Sequence, residues 1–161
     1  MTRIVNVGIG EYAISSGAAE EIKTYGLGSC IALIVYDWRR KMGALIHVAY
    51  PEASVNPTRA RSQPAYFADT GIPLLMNDFV SRHKPDRRDL TLKITGGATI
   101  MDEAGRFNIG KRNALAVKRE LWRLGFGLKS EDIGGTISRT VSLSVGTGTT
   151  LITNGTKRWE L

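Results

Sequence analysis

Two residues stand out for the chemistry their types allow. Cys30 follows the turn Gly26-Leu27-Gly28-Ser29, and His47 lies 17 positions further on, inside the apolar run of residues 45–49. A thiol has a reference pKa of about 8.5 and is mostly protonated at neutral pH, so it becomes a strong nucleophile only when a neighbouring base takes its proton. An imidazole is suited to that task. Gly28, Ser29 and Cys30 also bring backbone N–H groups to one turn, where they would hold the oxyanion of a tetrahedral intermediate, each good donor contributing about 3 to 4 kcal/mol. Taken singly, each side chain has a plainer reading. A lone cysteine on a strand is usually a small core hydrophobe, and a histidine in an apolar strand is usually a core residue with satisfied nitrogens. The chemistry depends on whether the fold pairs them.

The pairing rests on a hairpin. Residues 30–36 and 42–50 are two apolar runs separated by the polar group Asp37-Trp38-Arg39-Arg40-Lys41, the pattern of antiparallel strands. A two-residue turn at Trp38-Arg39 makes paired positions sum to 77, which sets Cys30 directly opposite His47. A register shifted by two leaves them diagonal on one face, and a shift of one separates them. Around the hairpin, residues 4–7, 11–14 and 21–24 read as short strands and residues 52–64 as a long loop. Residues 66–80 read as a helix containing Pro73, and residues 90–94 as a strand ending at Gly96-Gly97. The most regular helix is residues 109–124, with Val117, Leu121 and Leu124 on one stripe, Asn108 as cap and Gly125 as stop. Strands near 141–145 and 149–153 complete the order β-β-β-β-β-α-β-α-β-β. That order fits one α+β layered domain over residues 1–161, with mixed or antiparallel sheets.

Composition narrows the classes. With 161 residues, 42% hydrophobic and 23% charged, the chain is long enough to bury its own core and too mixed for a disordered or fibrous protein. No apolar run approaches the roughly 18 residues of a membrane-spanning helix, and residues 1–13 lack a signal-peptide core, so a cytoplasmic protein is expected. One cysteine and two histidines make no clustered zinc site, and no metal is expected. The net charge of +7 resides in the second half, where residues 81–161 carry 15 basic and 8 acidic side chains. Arg112, Arg119 and Arg123 fall opposite the apolar stripe of their helix. This is a solvated face that would steer the protein toward acidic partners, since no stacking aromatics or recognition motif accompany it to suggest nucleic acid. Residues 105–111 spell G-x-x-x-x-G-K before the helix, but Arg112 stands where the magnesium-binding hydroxyl belongs, which argues against a nucleotide loop.

Taken together, the residues resemble the CheD chemoreceptor glutamine deamidases of bacterial and archaeal chemotaxis. The resemblance runs from Thr24-Tyr25-Gly26-Leu27-Gly28-Ser29-Cys30 through Tyr36-Asp37, Gly43, His47 and Pro51. It continues in Tyr66, Ala68 and Asp69, in Gly96-Gly97-Ala98, in Ile109-Gly110 with Arg112-Asn113, and in Asp132 with Gly134-Gly135 and Arg139. It implies that Cys30 is the nucleophile, His47 the general base and later acid, and Thr24 the residue that orients the imidazole. By itself, a threonine at a strand end is more often a β-former. The implied reaction converts a receptor glutamine to glutamate and ammonia through a cysteine thioester, with no cofactor. The implied fold is an α/β/β/α domain, two β layers enclosed by helices, as in the catalytic domain of cytotoxic necrotizing toxins. Chemoreceptors are the implied substrates and a CheC-type phosphatase a common partner. Two positions depart from the family pattern: Ser138 stands where glycine is frequent before the arginine, and Val48-Ala49-Tyr50 follows His47. Neither removes a catalytic atom. Hydrolysis of methyl esters, or a role chiefly as a binding partner of the phosphatase, stays open at this level.

Overall fold

Ten strands and three α-helices follow one another along residues 1–100 and 108–161, the residues described by the computed structural model. They are β1 (Arg3–Asn6), β2 (Tyr12–Ser15), β3 (Glu20–Leu27), β4 (Ile31–Asp37), β5 (Met42–Val48), α1 (Pro57–Ser62), α2 (Ala68–His83), β6 (Leu90–Gly96), α3 (Ile109–Arg123), β7 (Ser130–Ile133), β8 (Arg139–Ser144), β9 (Thr150–Thr153) and β10 (Arg158–Glu160). Positions 105–107 of the glycine-lysine run fall outside the described residues. One sheet has the order β1-β3-β8-β9-β10 and the other β2-β5-β4-β6-β7. Both are mixed, since β1·β3 and β6·β7 are parallel while the other pairs are antiparallel.

β4 and β5 are buried at every position, which explains why they read as unbroken apolar runs: both faces of their sheet are covered. Ile31, Leu33 and Val35 with Ala44, Ile46 and Val48 meet Ile72, Leu75 and Phe79 of α2 and Val117 and Leu121 of α3. The alternate residues Ala32, Ile34, Tyr36 and Leu45 face the other sheet, against Ile22, Leu27, Val141, Leu143 and Ile152. The two β layers and the mixed α and β content agree with the sequence. The second helical layer does not: among the described residues, both long helices lie on one side of the molecule. β8 shows why. Val141 and Leu143 point inward while Thr140, Ser142 and Ser144 are part-exposed, so that sheet has one apolar face and needs no cover on the other.

The central hairpin differs from expectation in its register. Its turn spans residues 38–41, with Asp37 opposite Met42, and His47 pairs with Ala32. The Asp37 side chain stabilises the longer turn by accepting the N–H groups of Arg39 and Arg40 at 3.0 Å each, and Lys41 adopts a left-handed φ of 56°. The slip is two positions, so side-chain faces are preserved. Residues 52–64 are also more ordered than a plain loop. They form the short helical turn Ala53–Val55 and then α1, whose start is capped by Asn56 accepting Arg59 N–H at 3.0 Å. β7 and β10 were not expected. Both are short and rich in charge, and they pair at sheet edges where no apolar alternation is required.

Candidate active site

The period of a strand places the site's first two members. On β3, Ile22 and Thr24 point into the layer between the sheets, and on β5, Leu45 and His47 do the same. Thr24 and His47 are both fully buried, and Thr24 Oγ1 lies 2.7 Å from His47 Nδ1. The same hydroxyl donates to the Val7 carbonyl at 2.7 Å. A hydroxyl has one proton, and a carbonyl can only accept it. Thr24 must therefore accept from His47, which puts the imidazole proton on Nδ1 and a lone pair on Nε2. Nε2 is buried without a hydrogen-bond partner. Leaving a buried polar atom unpaired costs about 1 to 3 kcal/mol, so such an atom calls for a functional reason. Burial pushes the imidazole pKa down to about 4, keeping it neutral at physiological pH with the Nε2 lone pair unprotonated.

Cys30 occupies the position just before β4, two residues ahead of Ala32, which His47 faces. It therefore shares the His47 side of the sheet on the diagonal, where Cβ atoms are roughly 7 Å apart. Cys30 packs against the inter-sheet core from its margin and lines a cavity of about 600 Å³ with Gly28, Ser29, Ala98, Ile109 and Gly110. Burial pushes its thiol pKa up to about 11. Sulfur and imidazole are both neutral at rest, and no hydrogen bond joins Nε2 to the sulfur.

Three successive carbonyls hold the chain from Gly28 to Cys30 in place. Gly28 C=O accepts Ala98 N–H at 2.8 Å, Ser29 C=O accepts the Asn113 amide at 2.9 Å, and Cys30 C=O accepts Gly97 N–H at 2.9 Å. The Gly28 N–H is already engaged, donating to Gly26 C=O at 3.0 Å. This removes Gly28 as a ready oxyanion donor and leaves the N–H groups of Ser29 and Cys30, neither of which donates to another described residue. Because a trans peptide sets C=O and N–H on opposite sides, anchoring the Ser29 carbonyl to Asn113 turns the Cys30 N–H away from that side chain. Two glycines make the anchoring feasible. A Cβ on Gly96, where φ is +112°, would stand 2.1 Å from the Cys30 carbonyl oxygen, and one on Gly110 would stand 2.4 Å from that of Gly97.

Two contributors escaped sequence reasoning as to role. Asn113 is fully buried and donates both amide protons, to Ser29 C=O and to Ala49 C=O, each at 2.9 Å. It thereby ties α3 to the turn before the cysteine and to the chain just past the histidine. The available signal was a polar residue four positions before Val117, on the apolar stripe. Arg139, also buried, holds Gly134 C=O at 3.0 Å, Gly96 C=O at 3.3 Å and Asp132 at 3.4 Å, fixing the turn behind Gly96. On the outer face of α3, Arg112, Arg119 and Arg123 are exposed as expected, the last two flanking Glu120.

Comparison with known proteins accords with this layout. A family model described as CheD chemotactic sensory transduction matches residues 50–154. A probable chemoreceptor glutamine deamidase CheD of Syntrophotalea carbinolica is 45% identical over 157 residues, covering 96% of this chain and 97% of that protein. Proteins of the same description from Solibacter usitatus and Pyrococcus abyssi are 40% and 41% identical, covering 96% and 92% of this chain and 91% and 90% of theirs. Among solved structures, the hypothetical protein YfiH of Bacillus licheniformis aligns with a TM-score of 0.45 and 12% identity, over 81% of this chain and 58% of that one, too distant a likeness to carry an argument. Among the described residues, no helix is long and apolar enough to cross a membrane.

Proposed function

The chain belongs to the CheD family, the chemoreceptor glutamine deamidases, and we propose that Cys30 is the nucleophile of that activity, His47 its general base and acid, and Thr24 the residue that holds the imidazole. The observation that carries this reading is His47 Nε2, a buried, unprotonated and unpartnered nitrogen whose tautomer Thr24 dictates.

A glutamine side chain enters the cavity beside Cys30. The sulfur attacks the carboxamide carbon as Nε2 takes the thiol proton, so the thiolate forms only as the C–S bond forms. This fits a neutral resting pair, with the thiol pushed up to about 11 and the imidazole down to about 4. The N–H groups of Ser29 and Cys30 receive the oxyanion. Nε2 then protonates the amide nitrogen, ammonia leaves, and a thioester remains. Water attacks the thioester while Nε2 accepts its proton. Collapse of that second tetrahedral species releases glutamate and returns the proton to the thiol, and no cofactor enters these steps. Asn113 and Arg139 act as positioning residues, holding the turn and the glycine segment against which it rests.

Family membership also supports a cytoplasmic location, where receptor signalling regions are modified, and a CheC-type phosphatase as a partner. The two facing β layers with the cysteine at their margin support a likeness to the catalytic domain of the cytotoxic necrotizing toxins at that level. The deciding experiment incubates receptor protein with wild type or Cys30→Ala and follows candidate glutamine peptides by mass spectrometry. Wild type produces the gain of about one dalton that amide-to-acid conversion requires, and Cys30→Ala produces none. An equal gain with both proteins would remove Cys30 from the chemistry.

A further inference from the structure

A second concavity, of about 350 Å³, is lined by Tyr50, Val55, Asn56, Arg59, Tyr66 and Phe67. Its wall is aromatic, with ring centroids of Tyr50 and Tyr66 5.7 Å apart and those of Tyr66 and Phe67 5.4 Å apart. The Arg59 guanidinium lies over the Tyr66 ring, 4.2 Å from its centroid. That stack fixes the charge at the rim, and no carboxylate among the described residues pairs with it. The phenol hydroxyls of Tyr50 and Tyr66 likewise donate to no described partner, whereas those of Tyr12 and Tyr36 are committed to Asp78 and to the Val145 carbonyl. Tyr50 is 41% exposed, so the wall is open to solvent.

The position of this pocket ties it to the catalytic turn. One amide nitrogen, Asn113 Nδ2, donates at 2.9 Å both to the Ala49 carbonyl, just before Tyr50, and to the Ser29 carbonyl, just before Cys30. Two oxygens sharing one donor at hydrogen-bond distance lie within roughly 6 Å of each other. Through Asn113 the backbone at the edge of this pocket and the backbone of the catalytic turn are therefore neighbours in the fold.

We propose that this pocket is a subsite for a carboxylate side chain of the receptor segment that carries the target glutamine, an inference that rests on the deamidase reading above. A guanidinium offers a planar fork that receives a carboxylate through two parallel hydrogen bonds. The rings beneath it accept the methylene stem, and the free phenols supply further donors. Because the stack already holds the guanidinium in place, little side-chain freedom is lost on binding. The protein's net charge of +7 favours approach of acidic surfaces in the same sense.

The test measures kcat and KM on a purified chemoreceptor cytoplasmic fragment at low and high salt, for wild type, Arg59→Ala, Arg59→Glu and Arg61→Ala. Arg61 is an exposed neighbour on α1 that does not line the pocket. The expected result is a KM about tenfold higher for Arg59→Ala and higher still for Arg59→Glu, with a smaller change in kcat. Arg61→Ala stays within about twofold of wild type, and salt raises the KM of wild type more than that of Arg59→Ala. A KM for Arg59→Glu equal to that of Arg61→Ala overturns the proposal. A rise in KM for Arg59→Ala with no salt dependence in wild type also overturns it, in favour of an apolar occupant. A wild type that yields no one-dalton gain on receptor peptides overturns the deamidase reading itself, and the mass measurement registers that before any KM is compared.

Discussion

The layer between the two sheets has two ends, and they treat buried polar groups differently. At one end of β4, Tyr36 is buried and donates its hydroxyl to the Val145 carbonyl at 2.9 Å, with Leu143 closing the space above Gly43. Its hydrogen bond is complete, and the cavity it lines with Thr91, Lys93 and Thr150 is the smaller of the two, about 160 Å³. At the other end, His47 is equally buried, but only one of its nitrogens is paired, and Cys30 opens onto a cavity of about 600 Å³. Burial alone does not mark a site, since both ends bury polar side chains. What marks it is an imidazole nitrogen with a defined tautomer on the same side of the sheet as a thiol that opens onto the larger cavity.

If that contrast holds, the two ends respond differently to acid. His47 has an ordinary pKa of 6.5 in the unfolded chain and about 4 in the folded one. Between those values the unfolded chain binds a proton that the folded protein refuses, so stability is full above about pH 6.5 and declines as pH falls toward 4. The loss comes to about 3 kcal/mol. Urea unfolding at pH 7 and pH 4 measures it, and the His47 share disappears in His47→Gln. An identical acid loss in both proteins would mean that His47 is not held neutral by burial.

A smaller effect separates tautomer control from simple packing at the open end. Thr24→Val keeps the shape of the side chain but removes the acceptor for Nδ1–H. The expected result is a fall in kcat of about 30-fold, equivalent to about 2 kcal/mol, with little change in KM. Thr24→Ser restores kcat to within a few-fold of wild type. Steady-state kinetics on receptor protein decide it, and a serine variant as slow as the valine variant would show that the methyl group, rather than the hydroxyl, is what matters.

The smallest expected effect belongs to the Tyr36 end. Tyr36→Phe removes the hydrogen bond to Val145 and leaves that carbonyl unpaired, costing about 1 kcal/mol of stability. Deamidation by this variant proceeds at the wild-type rate. Chemical denaturation and the mass assay together test the pair of outcomes, and a loss of activity without a loss of stability would erase the distinction between the two ends.

Much of this arrangement was legible in the linear chain. The central hairpin, the helix ending before Gly125 and the sidedness of Cys30 and His47 follow from local patterns, and the family motifs added Thr24. The two-position slip in the hairpin altered distances but not faces, because side-chain direction in a strand repeats every two residues. The single helical layer was not legible, since whether an outer sheet face is covered depends on packing rather than on periodicity. Edge strands β7 and β10 were missed because paired backbone, rather than apolar alternation, holds them in place.

Residue types and short-range spacing determined which side chains share a face, because strand and helix periods are local properties of the backbone. Only the tertiary structure decided which nitrogen of His47 carries its proton, that Gly28 has already used its donor, and that one amide of Asn113 ties together residues 29 and 49. Those facts depend on where a few hydrogen-bonding atoms come to rest after distant segments pack, and no period in the sequence specifies distances across two sheets to within the few tenths of an ångström that a hydrogen bond demands.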